Sequence, residues 1–353
     1  MEISDRIAAF EKLGSALRTM FGDENTVFSA TEQLLIEKLK VEVTDASHYN
    51  AWFTEHFVSH ALLALGQSLQ REGISRWIKA YDFSTAPVEV KTIGVVMAGN
   101  VPAVGFHDFL SVLASGHHLQ AKLSSADKRI LPALADILIA IEPAFAEAIE
   151  FTEDRLHDFD AVIATGSDNS FRYFEYYFGK YPHIIRKNRN GVAVLTGNES
   201  KKHLEALADD VFLYYGLGCR NVSKLFVPEA YDFTSLLDAF AQRKEIANNH
   251  KYFNNYEYNK AIFLINSRPH LDTENLLLVE DVGFASPISV LHYEYYSASL
   301  DLQNLLMVNR EKIQCVMSEA DFLKDTFPLG KSQEPALWDY ADGVDTLAFL
   351  QSL

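Results

Sequence analysis

The sequence predicts an α/β protein built on a doubly wound parallel sheet, with a second α/β domain after it. Short apolar runs alternate with amphipathic segments from about residue 90 onward, and polar turns rich in glycine, serine and asparagine separate them. This alternation of strand, turn and helix is typical of parallel sheets that carry helices on their faces. In such sheets ligands bind at the carboxyl ends of the strands, which is where these turns fall.

The composition of the 353-residue chain is that of a soluble globular protein of about two domains. Apolar residues make up 48% and charged residues 22%, and the formal charge of −17 has no compensating basic face. We therefore expect no nucleic-acid partner. The N-terminus lacks the apolar run of a signal peptide, and no stretch is as long as a membrane span, so no membrane insertion is expected. Two cysteines without zinc-type spacing predict no metal site and fit a reducing cytoplasm.

Residues 1 to about 80 are predicted to be helical. Ile7, Phe10, Leu13 and Leu17 recur at helical spacing, and Thr31 is a candidate cap for a second helix. A third helix is expected over 57–69. No chemistry is evident in this region, and we interpret it as a packing element.

The first α/β region follows, and polar turns end its strands. Strands are expected over 90–97, 118–123, 148–151 and 160–164, and helices over 103–114, from the cap at 124–127 to 141, and over 171–178. The usual G-x-G-x-x-G dinucleotide fingerprint is missing. The turns around Asn100 and around Gly166 and Ser167 could offer backbone amides to a phosphate, or they could simply connect elements.

The second α/β region begins with a strand over 192–195 and is organised around Cys219. A helix over 201–215 is expected to end at Gly216 and Gly218, because glycine takes left-handed backbone angles at little cost. Further strands are expected over 225–227, 276–279, 288–293 and 313–317, with a helix over 233–243.

Cys219 is the candidate nucleophile. A thiol at a glycine-bounded turn can project into a cleft, and Arg220 beside it could lower its pKa and raise the thiolate fraction. The alternative is that Cys219 is a small buried hydrophobic residue, as most unpaired cysteines are. Cys315 lies in an apolar run and is expected to be structural.

Taken in order, these segments resemble the aldehyde dehydrogenase superfamily, and most closely its LuxC-like acyl-CoA reductase branch. The resemblance spans about two-thirds of the chain, from Val95 to Thr346. Residues 96–102 resemble the Pro-Trp-Asn-Phe-Pro turn of that family, 114–125 its Ala-Gly-Asn … Lys-Pro-Ser-Glu segment, and 165–167 its Thr-Gly-Ser turn. Residues 218–227 resemble its nucleophile loop and the following strand, and 280–284 its acidic Glu-Ile-Phe-Gly element. Residues 327–330 and 340–343 resemble its closing Pro-Phe-Gly and Tyr-Thr-Glu elements.

The resemblance implies an aldehyde-dehydrogenase-like fold with a Rossmann-type cofactor domain and a second, catalytic α/β domain. The expected divisions are a helical and cofactor-binding part over 1–190, a catalytic domain over 191–326, and a tail over 327–353 that packs back on the domain interface.

The resemblance also implies a mechanism. Cys219 attacks an acyl-CoA carbonyl, the side chain of Asn100 and the Cys219 N–H hold the oxyanion, coenzyme A leaves, and a nicotinamide hydride reduces the enzyme thioester to the aldehyde. The implied cofactor-binding residues are Lys122, Ser124, Ser125, Gly166, Ser167, Glu280 and Asp281.

Departures from the family pattern refine these expectations. The general-base glutamate of oxidising members is missing, because residues 185–191 contain no carboxylate, and this favours acyl-CoA reduction.

Ser125 stands where NAD-preferring members carry a glutamate, and Lys122, Lys128 and Arg129 lie nearby, so NADPH is the expected cofactor. The negative charge of Asp127 opposes binding of the 2′-phosphate, unless its carboxylate caps the following helix instead. The chain also lacks segments that plausibly include an oligomerisation arm, so a monomer or homodimer is expected rather than the tetramer usual in that family.

Two other interpretations remain open from the sequence. An acyl phosphate or an acyl-carrier-protein thioester could replace acyl-CoA as substrate, although a phosphate would need more arginines than Arg220 near Cys219. A degenerate, non-catalytic member acting as an interaction partner is the third possibility, and joint retention of Asn100, Lys122 and Cys219 counts against it.

Overall fold

The computed structural model describes residues 1–81, 83, 89–166 and 168–353, without the side chains of residues 168 and 169. The chain forms two compact units, Met1–Lys187 together with Pro335–Leu353, and Asn188–Glu334. The divisions predicted from the sequence follow residues 190 and 326. In the structure, residues 327–334 belong to the second unit and residues 335–353 to the first.

Each unit contains one sheet. The strands are β1 (Thr92–Val96), β2 (His118–Lys122), β3 (Ile149–Thr152), β4 (Ala161–Thr165), β5 (His183–Arg186), β6 (Asn190–Val194), β7 (Val222–Pro228), β8 (Leu271–Asp272), β9 (Leu277–Glu280), β10 (Val290–Tyr296) and β11 (Ile313–Met317). The first sheet has the order β3-β2-β1-β4-β5 and is parallel throughout. The second has the order β11-β6-β7-β10-β9-β8, with β8 antiparallel to β9. The predicted α/β class with parallel sheets is confirmed.

Helices pack on these sheets. They are α1 (Ile3–Met20), α2 (Ala30–Tyr49), α3 (Glu55–Ser68), α4 (Arg71–Ile78), α5 (Phe106–Ser115), α6 (Ile130–Ile141), α7 (Asp168–Phe178), α8 (Lys201–Phe212), α9 (Thr234–Ala241), α10 (His250–Ile265), α11 (Ser299–Val308) and α12 (Thr346–Gln351). None of those in the described part of the chain is long and apolar enough to cross a membrane. The residue that caps α2 is Ser29 and not Thr31. Ser29 and Glu32 form a capping box, which satisfies two backbone N–H groups.

The apolar N-terminal helices share one core with the first sheet. Phe10 and Leu13 of α1 are fully buried in the same cluster as Ile93 of β1, and the ring of Phe10 lies 5.5 Å from that of Phe145. The packing role inferred for this region agrees with its burial.

A buried ion pair joins the far edge of the first sheet to the helices. The guanidinium of Arg186, on β5, donates to both oxygens of Asp108 on α5, at 2.5 and 2.8 Å. It also donates to the hydroxyl of Thr346 at 3.0 Å and to that of Thr165 at 3.3 Å. Arg186 and Asp108 are buried. The pair therefore fixes the C-terminal helix α12 and the end of β4 to one another.

We expect Asp108→Ala to lower the free energy of unfolding by about 3–5 kcal/mol, because it leaves the Arg186 guanidinium buried without its carboxylate. Glu37→Ala, which removes the exposed pair with Lys40, should change it by no more than about 0.5 kcal/mol. Urea denaturation of the two variants and the parent protein measures both changes. Equal effects of the two substitutions would contradict the role given to Arg186 and Asp108.

Candidate functional site

The turns after β1, β2 and β4 lie together at the carboxyl edge of the first sheet. Val96 is level with Lys122 on one side and with Ala164 on the other. The residues that follow these strands therefore emerge side by side. A Cβ atom on Gly99 would lie 2.6 Å from the Cβ of Ser124, so the first two turns touch directly and only glycine fits. Asn100, the next residue, is exposed.

Lys122 is anchored at this edge. Its ammonium donates to the backbone carbonyls of Glu153 at 2.6 Å and Asp154 at 2.8 Å. Two of its three N–H bonds are thus used within the protein, which leaves one for a ligand hydroxyl.

Residues 124–127 form a tight turn, and helix α6 begins only at Ile130. The Asp127 N–H donates to the carbonyl of Ser124 at 3.1 Å, the hydroxyl of Ser124 accepts from the Ala126 N–H at 3.2 Å, and Ser125 is exposed. Arg129, the residue before α6, provides no side-chain cap, and the backbone N–H groups of Arg129 and Ile130 act instead on the carboxylate of Asp127.

Asp127 also joins two of the turns. Its carboxylate accepts from the Ala103 N–H at 2.8 Å and so ties this turn to the one after β1. Burial raises the pKa of Asp127, and backbone N–H groups that donate to its carboxylate act in the opposite direction. Its negative charge is therefore buried beneath the turn.

The third turn follows β4. A Cβ on Gly166 would lie 2.8 Å from the Cβ of Ser170 and from the ring of Phe174, so α7 packs against the bare backbone here. Ser167, the other residue predicted in this turn, lies outside the described residues. Arg186 supports the turn through Thr165, as described above.

In the second unit, Cys219 follows a sharply turned segment. Helix α8 ends at Phe212 and not at residue 215 as expected. Tyr214, Tyr215 and Gly216 all have left-handed backbone angles, with φ of 52°, 58° and 73°. The left-handed conformation expected at Gly216 is present, but two tyrosines share it. Cys219 forms no disulfide and is partly exposed.

Asn221 holds this loop and was not singled out from the sequence. Its side-chain oxygen accepts from the Gly218 N–H at 2.8 Å. Its amide group donates to the carbonyls of Asp210 at 3.0 Å and Leu213 at 2.8 Å. An asparagine two residues after a cysteine is not a distinctive sequence signal, so only the fold reveals this role.

The Cys219 loop rests on the backbone of β6. A Cβ on Gly191 would lie 2.5 Å from the carbonyl oxygen of Arg220 and 2.7 Å from that of Asn221. Cys315, opposite Gly191 on β11, donates its thiol to the Arg220 carbonyl at 3.6 Å. Burial raises the pKa of Cys315 to about 12, which rules it out as a thiolate nucleophile near neutral pH. The expectation that Cys315 is structural agrees with this geometry.

The side chain of Arg220 contacts the segment 327–334. Its Nε donates to the carbonyl of Ser332 at 2.5 Å, and its guanidinium carbon lies 4.8 Å from the ring centre of Phe327. The carboxylate of Asp210 accepts from the N–H groups of Gly330 at 2.6 Å and Ser332 at 2.9 Å. The described contacts of the Arg220 side chain therefore fix this segment beside the Cys219 loop.

The whole chain resembles several solved structures at low sequence identity. Aldehyde dehydrogenase 21 from Physcomitrella patens, solved with the reaction product succinate, is 13% identical over all of this chain and 84% of that one, with a TM-score of 0.66. An acetylating aldehyde dehydrogenase from Geobacillus thermoglucosidasius is 13% identical over 91% and 77% of the two chains, with a TM-score of 0.59. The chain has the aldehyde dehydrogenase fold.

An indole-3-acetaldehyde dehydrogenase from P. syringae, solved with NAD+, shares this aldehyde dehydrogenase fold at 14% identity, over 92% and 77% of the two chains and with a TM-score of 0.58. No protein-family model and no curated protein sequence matches the chain. At such identities the likeness establishes the fold, and the chemistry must be argued from the residues.

Within this aldehyde dehydrogenase fold, Glu280 and Asp281 do not lie beside Cys219. Glu280 is the last residue of β9 and is level with Leu225, inside β7, whereas Cys219 precedes the first residue of β7. The Asp281 carboxylate accepts from the Gly283 N–H at 2.7 Å and pairs with Arg268 at 2.5 Å. Glu280 is therefore level with the middle of β7, and the chain after it returns toward the start of β7, where the Ser223 hydroxyl donates to the Phe284 carbonyl at 2.6 Å.

We expect the stability of the protein to depend on Asp210 between pH 4 and 7. Burial raises the pKa of Asp210 to about 6, above its unfolded value of about 3.9. The folded protein thus holds a proton that the unfolded chain releases. The stabilisation is full below pH ~4 and is lost as the pH rises through about 6, by roughly 3 kcal/mol.

Urea denaturation of the parent protein and Asp210→Asn across this pH range tests the linkage. As the pH rises, the parent protein should lose free energy of unfolding relative to Asp210→Asn. Asp209→Asn removes the same charge from a half-exposed neighbour and serves as the control. A difference that is independent of pH would contradict the assignment.

Proposed function

We propose that the protein reduces an acyl-CoA thioester to the aldehyde, with a nicotinamide cofactor and Cys219 as the nucleophile. The observation that carries the proposal is the contrast between the two cysteines on the aldehyde dehydrogenase fold. Cys219 is partly exposed on a loop that glycine and asparagine hold in place, and Cys315 is buried behind that loop.

The chemistry at Cys219 is an acyl transfer. The thiolate attacks the thioester carbonyl, a tetrahedral oxyanion forms, and its collapse expels the coenzyme A thiolate and leaves an acyl group on the sulfur. The Cys219 N–H and the exposed Asn100 amide are the donors that the resemblance implies for the oxyanion. When bound, the reduced cofactor supplies a hydride to the acyl carbon, the C–S bond then breaks, and the aldehyde leaves.

Reduction is favoured over oxidation because the stretch that leads into β6 beneath the loop supplies no carboxylate to activate water. Residues 188–191 of β6 and its approach contain no carboxylate, and Gly191 is pressed against the Arg220 and Asn221 carbonyls. Asp210 contacts the neighbouring segment, but both of its oxygens accept backbone N–H groups. An acyl-Cys219 intermediate is thereby protected from hydrolysis.

The carboxyl edge of the first sheet fits a nicotinamide dinucleotide. The turns after β1, β2 and β4 meet at this edge, and Lys122, Ser124 and Ser125 present a held ammonium and hydroxyl groups there. Lys122 would hold a ribose hydroxyl, and Gly166 would lie beside the pyrophosphate. The cofactor role that the resemblance implies for Glu280 and Asp281 stays a prediction: Glu280 is exposed, and the Asp281 carboxylate pairs with Arg268.

We further propose that the cofactor is NADPH. Ser125 is neutral and exposed, and the carboxylate of Asp127 is buried against Ala103. Lys128 pairs with Glu153 on the surface, where both side chains are largely exposed and the pair is weak. A 2′-phosphate can therefore take the place of Glu153. Arg129 is engaged with Glu42 and the ring of Tyr49 and is the poorer candidate.

An acyl phosphate substrate is less well supported. It calls for arginines around the nucleophile, and Arg220 is turned to Ser332 and Phe327. Whether coenzyme A or an acyl-carrier protein delivers the acyl group is decided by comparing the two donors in the assay below.

We expect Cys219→Ala to abolish acylation and to lower aldehyde formation by at least about a thousandfold, because no other thiolate replaces it. Cys315→Ala is the matched control and should keep turnover close to that of the parent protein. Mass spectrometry after incubation with an acyl-CoA series, followed by assays of NADPH oxidation, measures both steps. If Cys219→Ala kept a tenth of the activity, covalent catalysis at this residue would be wrong.

We expect faster turnover with NADPH than with NADH, and Ser125→Glu should shift the kcat/KM ratio toward NADH by about tenfold through repulsion of the 2′-phosphate. Ser125→Gln adds similar bulk without the charge and should leave the ratio nearly unchanged. Initial rates at equal, low cofactor concentrations give the ratio. A parent enzyme that prefers NADH, or a glutamine variant that behaves like the glutamate variant, argues against this assignment.

A further inference from the structure

The segment between α8 and Cys219 has an unusual backbone. Tyr214, Tyr215 and Gly216 are consecutive left-handed residues. For the two tyrosines this conformation is unfavourable, because the Cβ atom comes too close to the following carbonyl oxygen. Both tyrosines are buried, and the ring of Tyr215 lies 5.7 Å from that of Tyr252. Such a backbone persists only where its surroundings oppose relaxation.

The side chain of Asn221 bonds both ends of this segment. It donates to the Leu213 carbonyl, just before the left-handed residues, and accepts from the Gly218 N–H just after them. The second amide hydrogen goes to the Asp210 carbonyl in the last turns of α8. Asn221 is 2% exposed; its bond to Asp210 is buried, and those to Leu213 and Gly218 are partly buried. The side chain closes the loop from Leu213 to Gly218 like a clasp.

Few other side chains can make this set of bonds. The position needs one acceptor and two donors in a planar group of this size, which is an asparagine carboxamide. Aspartate keeps the acceptor for Gly218 but sets a negative charge against the carbonyls of Asp210 and Leu213. Alanine leaves all three backbone groups buried without a partner.

We propose that Asn221 is a positioning residue for Cys219: by clasping the strained left-handed loop, it fixes the place and orientation of the thiol and of the Cys219 N–H. The inference rests on the proposed function in taking Cys219 as the nucleophile. It adds that the loop relaxes without the clasp and that the reacting atoms are then misplaced, although the acyl-CoA still binds.

Asn275 provides a matched control in the same unit. It is equally buried, donates to two carbonyls, those of Phe240 and Arg243, at 3.0 Å, and accepts from the Thr273 hydroxyl at 2.6 Å. Asn275→Ala therefore removes the same kind and number of hydrogen bonds without touching the Cys219 loop. A general loss of stability would affect both variants alike.

The experiment measures single-turnover acylation of Cys219 by an acyl-CoA in the full-length protein. Asn221→Ala should lower the maximal acylation rate by about 100-fold, the scale of a misplacement of about 1 Å, while the half-saturating acyl-CoA concentration changes less than threefold. Asn275→Ala should lower the rate by less than about threefold. Comparable losses in both variants, or a rate for Asn221→Ala within threefold of the parent rate, would overturn the proposal.

Hydrogen exchange tests the clasp without relying on acylation, and a second variant replaces Asn221→Ala if that variant does not fold. In Asn221→Ala, and in Asn221→Asp if the alanine variant does not fold, the amides of residues 214–219 should exchange at least tenfold faster than in the parent protein. Those of β9 and β10 should be unchanged, and Cys315 should stay unmodified by iodoacetamide. If the parent protein is not acylated at all, the proposed function fails, and exchange at 214–219 alone decides the clasp. Unchanged exchange there would reject it.

Discussion

Asp210 is the residue through which the parts of the second unit around Cys219 are joined. Its backbone carbonyl accepts from Asn221, and its carboxylate accepts from Gly330 and Ser332. The Ser332 carbonyl accepts in turn from Arg220, next to the cysteine. These bonds form a closed circuit that links α8, the Cys219 loop and the segment after β11. A change in any member is transmitted to the loop, because these hydrogen bonds connect buried residues directly to one another.

The local pattern of the sequence was enough for the fold class and for most strands. The apolar runs at β1, β2, β4 and β11 are bounded by polar or glycine-containing turns, and the structure places strands there. It was not enough for β5, since His183–Arg186 is short and has polar residues at both ends. Helix α10 was missed for a related reason. Its buried residues are Tyr252, Tyr256, Asn259 and Phe263, and aromatic and amide side chains do not form an aliphatic stripe.

Parts of the candidate site that are marked by a distinctive residue type could be predicted from the sequence. Parts that depend on a contact between distant residues could not. Cys219 stands out because glycines surround it. Asn221 and Gly191 look ordinary until the loop is folded over β6. Asp127 was ambiguous in sequence, and the backbone N–H that decides its role comes from Ala103, far along the chain. The cofactor role of Glu280 and Asp281 stays a prediction, because a motif carries no register and register along β9 sets the position of Glu280.

The glycine beneath the Cys219 loop also limits how this protein can be engineered or can evolve. For the reductase proposed above, a glutamate at Gly191 would be one way to place a water-activating base beneath the Cys219 loop. Any side chain there would begin 2.5 Å from the Arg220 carbonyl and would push the nucleophile's own loop aside. A glutamate at position 191 would fit only if the loop that carries Cys219 were displaced. Placing a base at this position therefore requires a redesigned loop and not a single substitution.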